Sequence, residues 1–153
     1  MNNINFFDCS SSEFDFVKSI RTAVFTNEQG ASAPEEFDKY DNSSDSVFAL
    51  LYEGEDAVAT ARIADTEKGL KIGRIAVLKS CRGRGYGAVI VRAVTDRAFD
   101  MGADVVYVDA QNYAVPFYEK LGFKVIGSEI IDRGLPHIPM CIKKGEAYGK
   151  EKE

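Results

Sequence analysis

The stretch Arg82-Gly83-Arg84-Gly85-Tyr86-Gly87 decides the fold of this chain, because it marks the point where a strand gives way to a long helix. The strand is predicted over residues 70–78, and apolar residues recur at helical spacing from Val89 to Met101. Glycine permits positive φ angles and the close approach of a ligand to the backbone. The start of a helix adds unpaired N–H groups and the positive end of the helix dipole. The segment therefore predicts a turn that binds phosphate.

Two common nucleotide-binding motifs compete for this turn. A P-loop is excluded because no Gly-Lys-Ser/Thr follows. The dinucleotide pattern G-x-G-x-x-A is satisfied by Gly83, Gly85 and Ala88, and Asp109 ends the next predicted strand where a ribose-binding acid would lie. Residues 79–82 separate the strand from the first glycine, however, and the chain after Asp109 is too short for a second nucleotide-binding half. Both features count against a dinucleotide fold.

Outward from the turn, hydrophobic periodicity predicts an α/β protein in which an antiparallel meander is combined with a buried parallel strand and with helices. Strands are predicted at residues 4–9, 47–52, 57–64, 70–78, 105–108, 123–131 and 137–143, and helices at residues 14–25, 85–101 and 112–122. The three strands from 47 to 78 form an antiparallel meander. One domain covers residues 1–153, and its charged end, residues 144–153, is expected to fray.

Two helix starts carry capping signals. Ser10-Ser11-Ser12-Glu13 fits a capping box, in which serine caps the helix and glutamate reaches back. Asn112 is placed to cap the helix that holds Pro116 in its first turn.

Composition narrows the class of protein. The net charge of −5 and pI of about 5.0 argue against a nucleic-acid binder. No apolar run reaches the roughly 20 residues of a membrane helix, and residues 1–5 are not typical of a signal peptide. The three cysteines are far apart and there is one histidine, so no metal site is expected and the thiols are predicted to be free, as in a cytoplasmic protein.

Two segments, in this order, resemble the GNAT acetyltransferase superfamily. Arg82, Gly85 and Gly87 match its signature Q/R-x-x-G-x-G/A. Residues 111–123, Gln-Asn-Tyr-Ala-Val-Pro-Phe-Tyr-Glu-Lys-Leu-Gly-Phe, are similar to its helix N-x-x-A-x-x-L/F-Y-E-K-L-G-F, with Gln111 where asparagine is usual. Looser matches to small, single-domain bacterial members lie at residues 24–29 and 133–140.

The resemblance implies a central mixed sheet of about six to seven strands with helices on both faces. It also implies an acetyl-CoA-dependent N-acyltransferase with no metal, in which a primary amine attacks the acetyl thioester directly. The glycine turn would hold the pyrophosphate and the preceding strand the pantetheine arm. The implied acetyl-CoA-binding residues are Ile75, Ala76, Val77, Arg82, Gly83, Arg84, Gly85, Tyr86, Gly87, Ala88 and Gln111. The acceptor stays open between a small amine, an amino sugar, an amino acid and a protein lysine, and a homodimer stays open as the assembly.

Three side chains are candidates for catalysis. Tyr118 matches the family tyrosine that protonates or solvates the leaving thiolate, and the motif favours this role over the alternative, a core tyrosine that packs against Phe117 and Phe123. Glu28 follows the first helix, where the family places its acceptor wall, so it is a candidate base or merely a solvated carboxylate. His137, the only histidine, is the other candidate proton carrier or a structural hydrogen-bonding group.

Other residues leave further readings open. Residues 72–74 lack the glutamate that many members of the superfamily carry on this strand, so a sensor that binds acyl-CoA without turnover is the alternative function. A thiol hydrolase with Cys81 as nucleophile and His137 as base is weaker, since the phosphate turn begins at the next residue. Arg62 is expected to pair with an acid.

Overall fold

A computed structural model describes residues 3–32 and 36–146 of the protein. These residues are built around one sheet. Over these residues the sheet has eight strands in the order β1-β2-β3-β4-β5-β8-β6, with β7 paired to β8. The strands are β1 (Asn3–Phe7), β2 (Val47–Glu53), β3 (Asp56–Asp65), β4 (Leu70–Val77), β5 (Val105–Gln111), β6 (Lys124–Val125), β7 (Ile130–Asp132) and β8 (Leu135–Lys143). The α-helices are α1 (Phe14–Arg21), α2 (Tyr86–Asp100) and α3 (Val115–Lys120).

Shorter helical turns connect these elements. A π-helical segment, Thr22–Glu28, continues α1. The 3₁₀ turns are Lys39–Asn42, Lys79–Cys81, Asn112–Ala114 and Lys144–Glu146. Of the charged end, residues 147–153 lie outside the described residues. No helix in the described part of the chain is long and apolar enough to cross a membrane.

The sheet opens between its two halves. Strands β1 to β4 are antiparallel neighbours, which confirms the predicted meander. Strand β5 pairs with β8 over its whole length. The parallel pairing of β4 with β5, by contrast, joins only Lys71 to Tyr107 and Ile72 to Val108 in the described residues. Beyond Ile72 the two strands diverge, so the sheet has a wedge-shaped gap at its centre.

Helices cover both faces of the sheet, as predicted. Successive side chains of a strand point to opposite faces, and β2 shows this clearly. Phe48 and Leu50 pack with α1 in one buried cluster, whereas Ala49 and Leu51 pack with α2 in another. The mixed α/β class is therefore confirmed, and the extra strand beyond the expected six to seven arises because residues 123–131 form two short strands, β6 and β7, instead of one.

Both predicted helix caps are wrong. Glu13 is itself the cap residue of α1, and its carboxylate does not reach back to a serine. It accepts hydrogen bonds from Asn5 and Tyr52 instead. Asn112 begins a 3₁₀ turn, so α3 starts three residues later, at Val115, without a side-chain cap. The capping box fails because the Glu13 carboxylate is bonded to distant residues, and the Asn112 cap fails because Asn112 lies in a 3₁₀ turn.

Candidate functional site

The glycine turn has the backbone geometry that its sequence predicts. Gly83 and Gly85 have φ angles of +84° and +81°, which side chains with a Cβ rarely adopt. A Cβ built on either residue would meet no heavy atom within 4 Å, so both face open space. Gly85 leads into the 15-residue helix α2, and no side chain caps that helix. The first N–H groups of α2 are therefore available to an anion.

A cavity of about 420 Å³, here called the outer cavity, extends from this turn along β4. The π-helical segment forms its opposite wall. Most of the predicted acetyl-CoA-binding residues line this cavity, while Arg84 and Ala88 are not among its lining residues; those that line it are Ile75, Ala76, Val77, Arg82, Gly83, Gly85, Tyr86, Gly87 and Gln111. Gln111 reaches across it and donates a hydrogen bond to Gln29 at 3.0 Å.

The two arginines of the turn are held by acids. Arg82 makes a two-point ion pair with Glu28, with Nη1–Oε1 at 2.9 Å and Nη2–Oε2 at 3.0 Å, and its Nε donates to the Val77 carbonyl. Arg84 pairs with Glu53 at 2.7 Å, and the Tyr86 hydroxyl donates to the same carboxylate. Hydrogen bonds from Tyr86 and Arg84 lower the pKa of Glu53. Glu28 thus lines the outer cavity with its carboxylate bound to Arg82.

Strand β4 carries a bulge where the gap opens. The pairing of β3 with β4 shifts register between Thr60 and Arg62, so two β4 residues, Arg74 and Ile75, oppose Ala61. Arg74 has a φ of +50°, one of only two positive values for non-glycine residues in the described chain. A bulge leaves backbone groups without a partner in the ladder. Since β5 has already diverged, this backbone is exposed to the gap.

The bulge borders a smaller cavity of about 160 Å³, the inner cavity, which lies in the gap between β4 and β5. Tyr118 and His137 both line it, together with Arg74, Ile75 and Arg133. Phe25, Ile75, Gln111, Tyr113 and Phe117 line both the inner and the outer cavity, so the two adjoin.

Tyr118 combines the two roles that its sequence left open. Its ring packs edge-on against Phe117 and Phe123, with centroids 5.1 and 5.6 Å away, and the residue is 6% exposed. It also lines the inner cavity. Burial, with a smaller effect from Tyr113, raises the pKa of the Tyr118 phenol well above its usual value. The hydroxyl is therefore protonated at any physiological pH.

His137 is 1% exposed and both ring nitrogens have neighbours. Nδ1 lies 2.9 Å from the Leu135 carbonyl, which can only accept, so Nδ1 is the protonated nitrogen. Nε2 then carries the lone pair, and it lies 3.5 Å from Arg133 Nη2. His137 thus lines the inner cavity beside a guanidinium, whereas Cys81 lines the outer cavity.

A buried ion cluster backs the inner cavity, and most of it was missed by the sequence analysis. Arg21 bonds to Glu36 and, at 2.7 Å, to Asp41. Arg62 bonds to Asp38 at 2.8 Å and to Asp41 at 3.1 Å, which confirms that it pairs with acids. These residues come from α1, β3 and the segment between, so only long-range contacts reveal the cluster.

Two more arginines complete this cluster. Glu36 also lies 3.0 Å from Arg74 and 3.5 Å from Arg133. Burial and the nearby Arg62 and Arg133 lower the pKa of Arg74 to about 10, so Arg74 remains charged at neutral pH. The sequence carries no signal for this role, because the positive φ angles of Arg74 and Arg133 become visible only in the structure.

A third cavity of about 330 Å³, the far cavity, lies beyond the inner one. The two share four lining residues: Gly73, Arg74, Asp109 and Arg133. Asp109 is bound to Lys71 at 2.5 Å. Over the described residues, no group of three potential metal ligands comes together, because the buried acids face arginines. The three cavities therefore adjoin one another along the gap in the sheet, and this row of cavities is here called the passage.

Comparisons with known proteins agree with this architecture. The sequence matches the family described as "Acetyltransferase (GNAT) domain" over residues 11–144. The protein called "Uncharacterized N-acetyltransferase YjcF", from Bacillus subtilis (strain 168), is 39% identical over 122 residues, which are 79% of this chain and 86% of that protein.

Two solved structures are similar throughout. ElaA from Escherichia coli matches with a TM-score of 0.82 and 26% identity, over 94% of this chain and all of that chain. An acyl-CoA N-acyltransferase from Pseudomonas aeruginosa has the same TM-score over 93% of this chain and 99% of that chain. Its identity is 22%, so it supports the fold alone.

The chain belongs to the GNAT acetyltransferase family. It is therefore an acetyltransferase whose acyl donor is an acyl-CoA. The residues present fit such a donor. Gly83 and Gly85 leave open the space that a phosphate needs, the helix start is uncapped, and the outer cavity leads from that point to the bulge in β4.

Proposed function

We propose that the protein transfers the acetyl group of acetyl-CoA to a primary amine, by direct attack of the amine on the thioester. The observation that carries the proposal is the passage, the row of adjoining cavities along the gap between β4 and β5. Its outer end begins at the uncapped helix and its inner part is lined by the bulge, Tyr118 and His137. Such a passage suits two substrates that meet at its centre.

The first task is to hold the donor. The backbone from Gly83 to Ala88 is proposed to bind the pyrophosphate, with Arg82 beside it. From Gly73 onward β4 has no pairing with β5 in the described residues, so its free edge can pair with the amides of the pantetheine arm as a strand would. Ile75, Ala76 and Val77 are proposed for that role, and Gln111 for the facing wall.

The second task is to stabilise charge on the thioester oxygen. The bulge at Arg74 and Ile75 interrupts the pairing with β3, so a main-chain N–H there has no partner in the ladder. We assign the oxyanion contact to this N–H. A rigid donor held by the strand needs no rearrangement when the charge develops.

The third task is to stabilise the leaving thiolate, which we assign to Tyr118. A free thiol has a pKa of about 8.5, below that of the phenol, which burial raises further. Complete proton transfer from Tyr118 to the sulfur is therefore unfavourable. The hydroxyl instead donates a hydrogen bond to the thiolate, and solvent supplies the proton later.

The last task is to take a proton from the amine. His137 is the better of the two candidates because it lines the inner cavity together with Tyr118 and the bulge, and because its Nδ1 is already bonded to a carbonyl, which leaves Nε2 to accept a proton. Glu28 lies at the outer cavity with both carboxylate oxygens bound to Arg82, which favours a part in holding the turn. We propose His137, acting directly or through water, as the proton carrier.

Release of free CoA thiol from acetyl-CoA, measured across a panel of amines, tests the proposal. We expect release that depends on the amine, saturates with its concentration, and yields the N-acetyl product by mass spectrometry. Acetyl-CoA should also raise the melting temperature, and NAD should not. At about 100 times its dissociation constant, bound acetyl-CoA adds about 2.7 kcal/mol to the free energy of unfolding. Tight binding without release for any amine would instead identify an acyl-CoA sensor.

A further inference from the structure

Arg133 occupies an unusual position in the backbone. It is a central residue of the two-residue turn between β7 and β8, and it has a φ of +53°, followed by Gly134 at +77°. Turns of this type favour asparagine or aspartate before glycine, because a longer side chain is strained at positive φ. An arginine at this position has a strained backbone. Strained residues are concentrated at functional sites, so the contacts of the Arg133 side chain bear on function.

The guanidinium of Arg133 is buried, yet its contacts are long. The side chain is 7% exposed and lies over the ring of Phe25, 5.2 Å from the centroid. Nη1 has no hydrogen-bond partner and lies 3.5 Å from Glu36 Oε1. Nη2 lies 3.5 Å from His137 Nε2, and Nε lies 3.4 Å from Asp132. Buried guanidinium groups normally have short, well-formed partners.

The other arginines of the cluster differ in this respect. Arg21 and Arg62 each have a carboxylate within 2.8 Å, and Arg74 has contacts at 3.0 and 3.1 Å. Arg133 is therefore the member of the described cluster whose donors are least used. It is also a lining residue of both the inner and the far cavity, so a ligand in the passage can reach it.

The charges of the cluster favour an anionic ligand. In the described residues the cluster contains four arginines and three buried or half-buried acids, namely Arg21, Arg62, Arg74, Arg133, Glu36, Asp38 and Asp41. Asp132 also lies near Arg133, but its carboxylate is 44% exposed. The surplus of one positive charge suits a ligand with a single negative charge. Burial is the main cause of the lowered pKa of Arg74, and the neighbouring Arg62 and Arg133 lower it further.

We propose that the acceptor is an amino-acid-like molecule, with a carboxylate one or two carbons from its primary amine, and that Arg133 binds this carboxylate. The proposal rests on the N-acetyltransferase function proposed above and names its substrate class. The short spacing follows from the size of the inner cavity, about 160 Å³, in which Arg133 lies directly beside His137. The remainder of the acceptor would extend into the far cavity.

The arrangement accounts for each atom of the reaction. The carboxylate accepts hydrogen bonds from Arg133 in place of the long contacts, which brings the amine next to His137 Nε2. The amine nitrogen forms the new N–C bond as the C–S bond breaks, and the sulfur leaves as the CoA thiolate. The surplus proton of the amine passes to His137 Nε2 and from there to solvent, which also protonates the thiolate.

Matched acceptors test the proposal without any variant. Initial rates are measured with glycine, methylamine and aminomethylphosphonate, with β-alanine, ethylamine and aminoethylphosphonate, and with phenylalanine and phenethylamine. We expect kcat/KM for the carboxylate member to exceed that of its decarboxylated partner by roughly 10- to 100-fold, which is typical of a charge-assisted hydrogen bond. Equal or faster acetylation of the plain amines would overturn the inference while leaving N-acetyl transfer intact.

The other outcomes are equally decisive. A preference for the phosphonates would assign the site to a dianion and overturn the carboxylate proposal. If no amine of any kind accelerated thiol release, the proposed function would fail, and this inference with it. The two failures are therefore distinguishable, because only the second removes turnover with plain amines.

Variants of Arg133 test whether this residue binds the carboxylate. In Arg133→Gln the preference should fall to within about 3-fold, through a higher KM for the carboxylate acceptor, with the KM for acetyl-CoA unchanged. Arg133→Lys should keep part of the preference, because it retains the charge but not the two-point geometry. Arg97→Gln, an exposed arginine on α2 over the ring of Phe6, is the matched control and should behave as the parent. An undiminished preference in folded Arg133→Gln would overturn the assignment.

Discussion

Arg82 and Glu28 form a two-point ion pair that ties the glycine turn to the end of the π-helical segment, with N–O distances of 2.9 and 3.0 Å. The pair crosses the outer cavity, and its side chains are 43% and 30% exposed. The same arginine also donates to the Val77 carbonyl on β4. The glycine turn, the π-helical segment and β4 therefore meet at Arg82, which gives Glu28 a structural task beside the turn proposed to bind the donor.

Replacing Glu28 with glutamine separates this task from catalysis. Glu28→Gln should raise the KM for acetyl-CoA by roughly 2- to 5-fold, because a half-exposed ion pair contributes little in water, and should leave kcat unchanged. Steady-state kinetics with both substrates varied measures this. Glu67→Gln, in the exposed turn before β4, is the control. A lower kcat with unchanged acetyl-CoA affinity would instead support Glu28 as the base.

A substitution in the glycine turn tests the phosphate cradle. Gly85→Val places a branched side chain at a φ of +81° and into the space assigned to the pyrophosphate. We expect acetyl-CoA binding to weaken by at least about 10-fold, a loss of roughly 1.4 kcal/mol, measured by titration calorimetry.

Gly102→Val is the matched control for that experiment. Gly102 follows the opposite end of α2, also has a positive φ, +107°, and also faces open space. Both variants should lose similar stability in urea, but only Gly85→Val should lose affinity. Equal affinity in the two variants would show that the turn does not hold the donor.

Tyr118→Phe removes one hydroxyl and keeps the aromatic packing against Phe117 and Phe123. We expect kcat to fall by about 10- to 100-fold, since a hydrogen bond to a charged sulfur is lost, while the KM for acetyl-CoA stays near that of the parent. Single-turnover measurements ensure that chemistry is observed. Phe123→Leu serves as a packing control, because Phe123 also packs edge-on against Tyr118 but lines none of the three cavities. An unchanged chemical rate in Tyr118→Phe would leave the phenol with a packing role only.

Removing one arginine from the buried ion cluster should lower the free energy of unfolding substantially. Arg21→Met leaves Glu36 and Asp41 buried without their main partner, and breaking a buried pair in this way typically costs about 3–5 kcal/mol. Urea unfolding followed by circular dichroism measures the loss. Lys18→Met, one turn earlier on the exposed face of α1, should change the free energy of unfolding by less than about 0.5 kcal/mol. A similarly small change in Arg21→Met would mean that water or a rearrangement compensates the acids.

Local patterns were sufficient for much of the fold. The meander, α2 and the glycine turn were predicted correctly because period-two alternation, helical spacing and glycine all act over a few residues. The caps at Glu13 and Asn112 failed for the opposite reason. The Glu13 carboxylate accepts a hydrogen bond of 2.6 Å from the hydroxyl of Tyr52, which is 39 positions away in sequence. A local sequence pattern carries no information about such a partner.

The site follows the same division. The glycine turn and the helix around Tyr118 carry recognisable motifs, whereas the bulge at Arg74 does not. Its positive φ belongs to an arginine, and no residue type there signals αL geometry. The cluster around Arg133 is assembled from distant parts of the chain, so it becomes visible only when the sheet and the β7–β8 turn are in place.

The gap between β4 and β5 has one more consequence. The outer and far cavities share no lining residue and meet only at the inner cavity. If the donor binds at the outer cavity and the acceptor at the far cavity, as proposed, the two substrates contact separate sets of residues. Substitutions in the far cavity would then alter acceptor preference without altering the affinity for acetyl-CoA, so the two specificities could evolve independently.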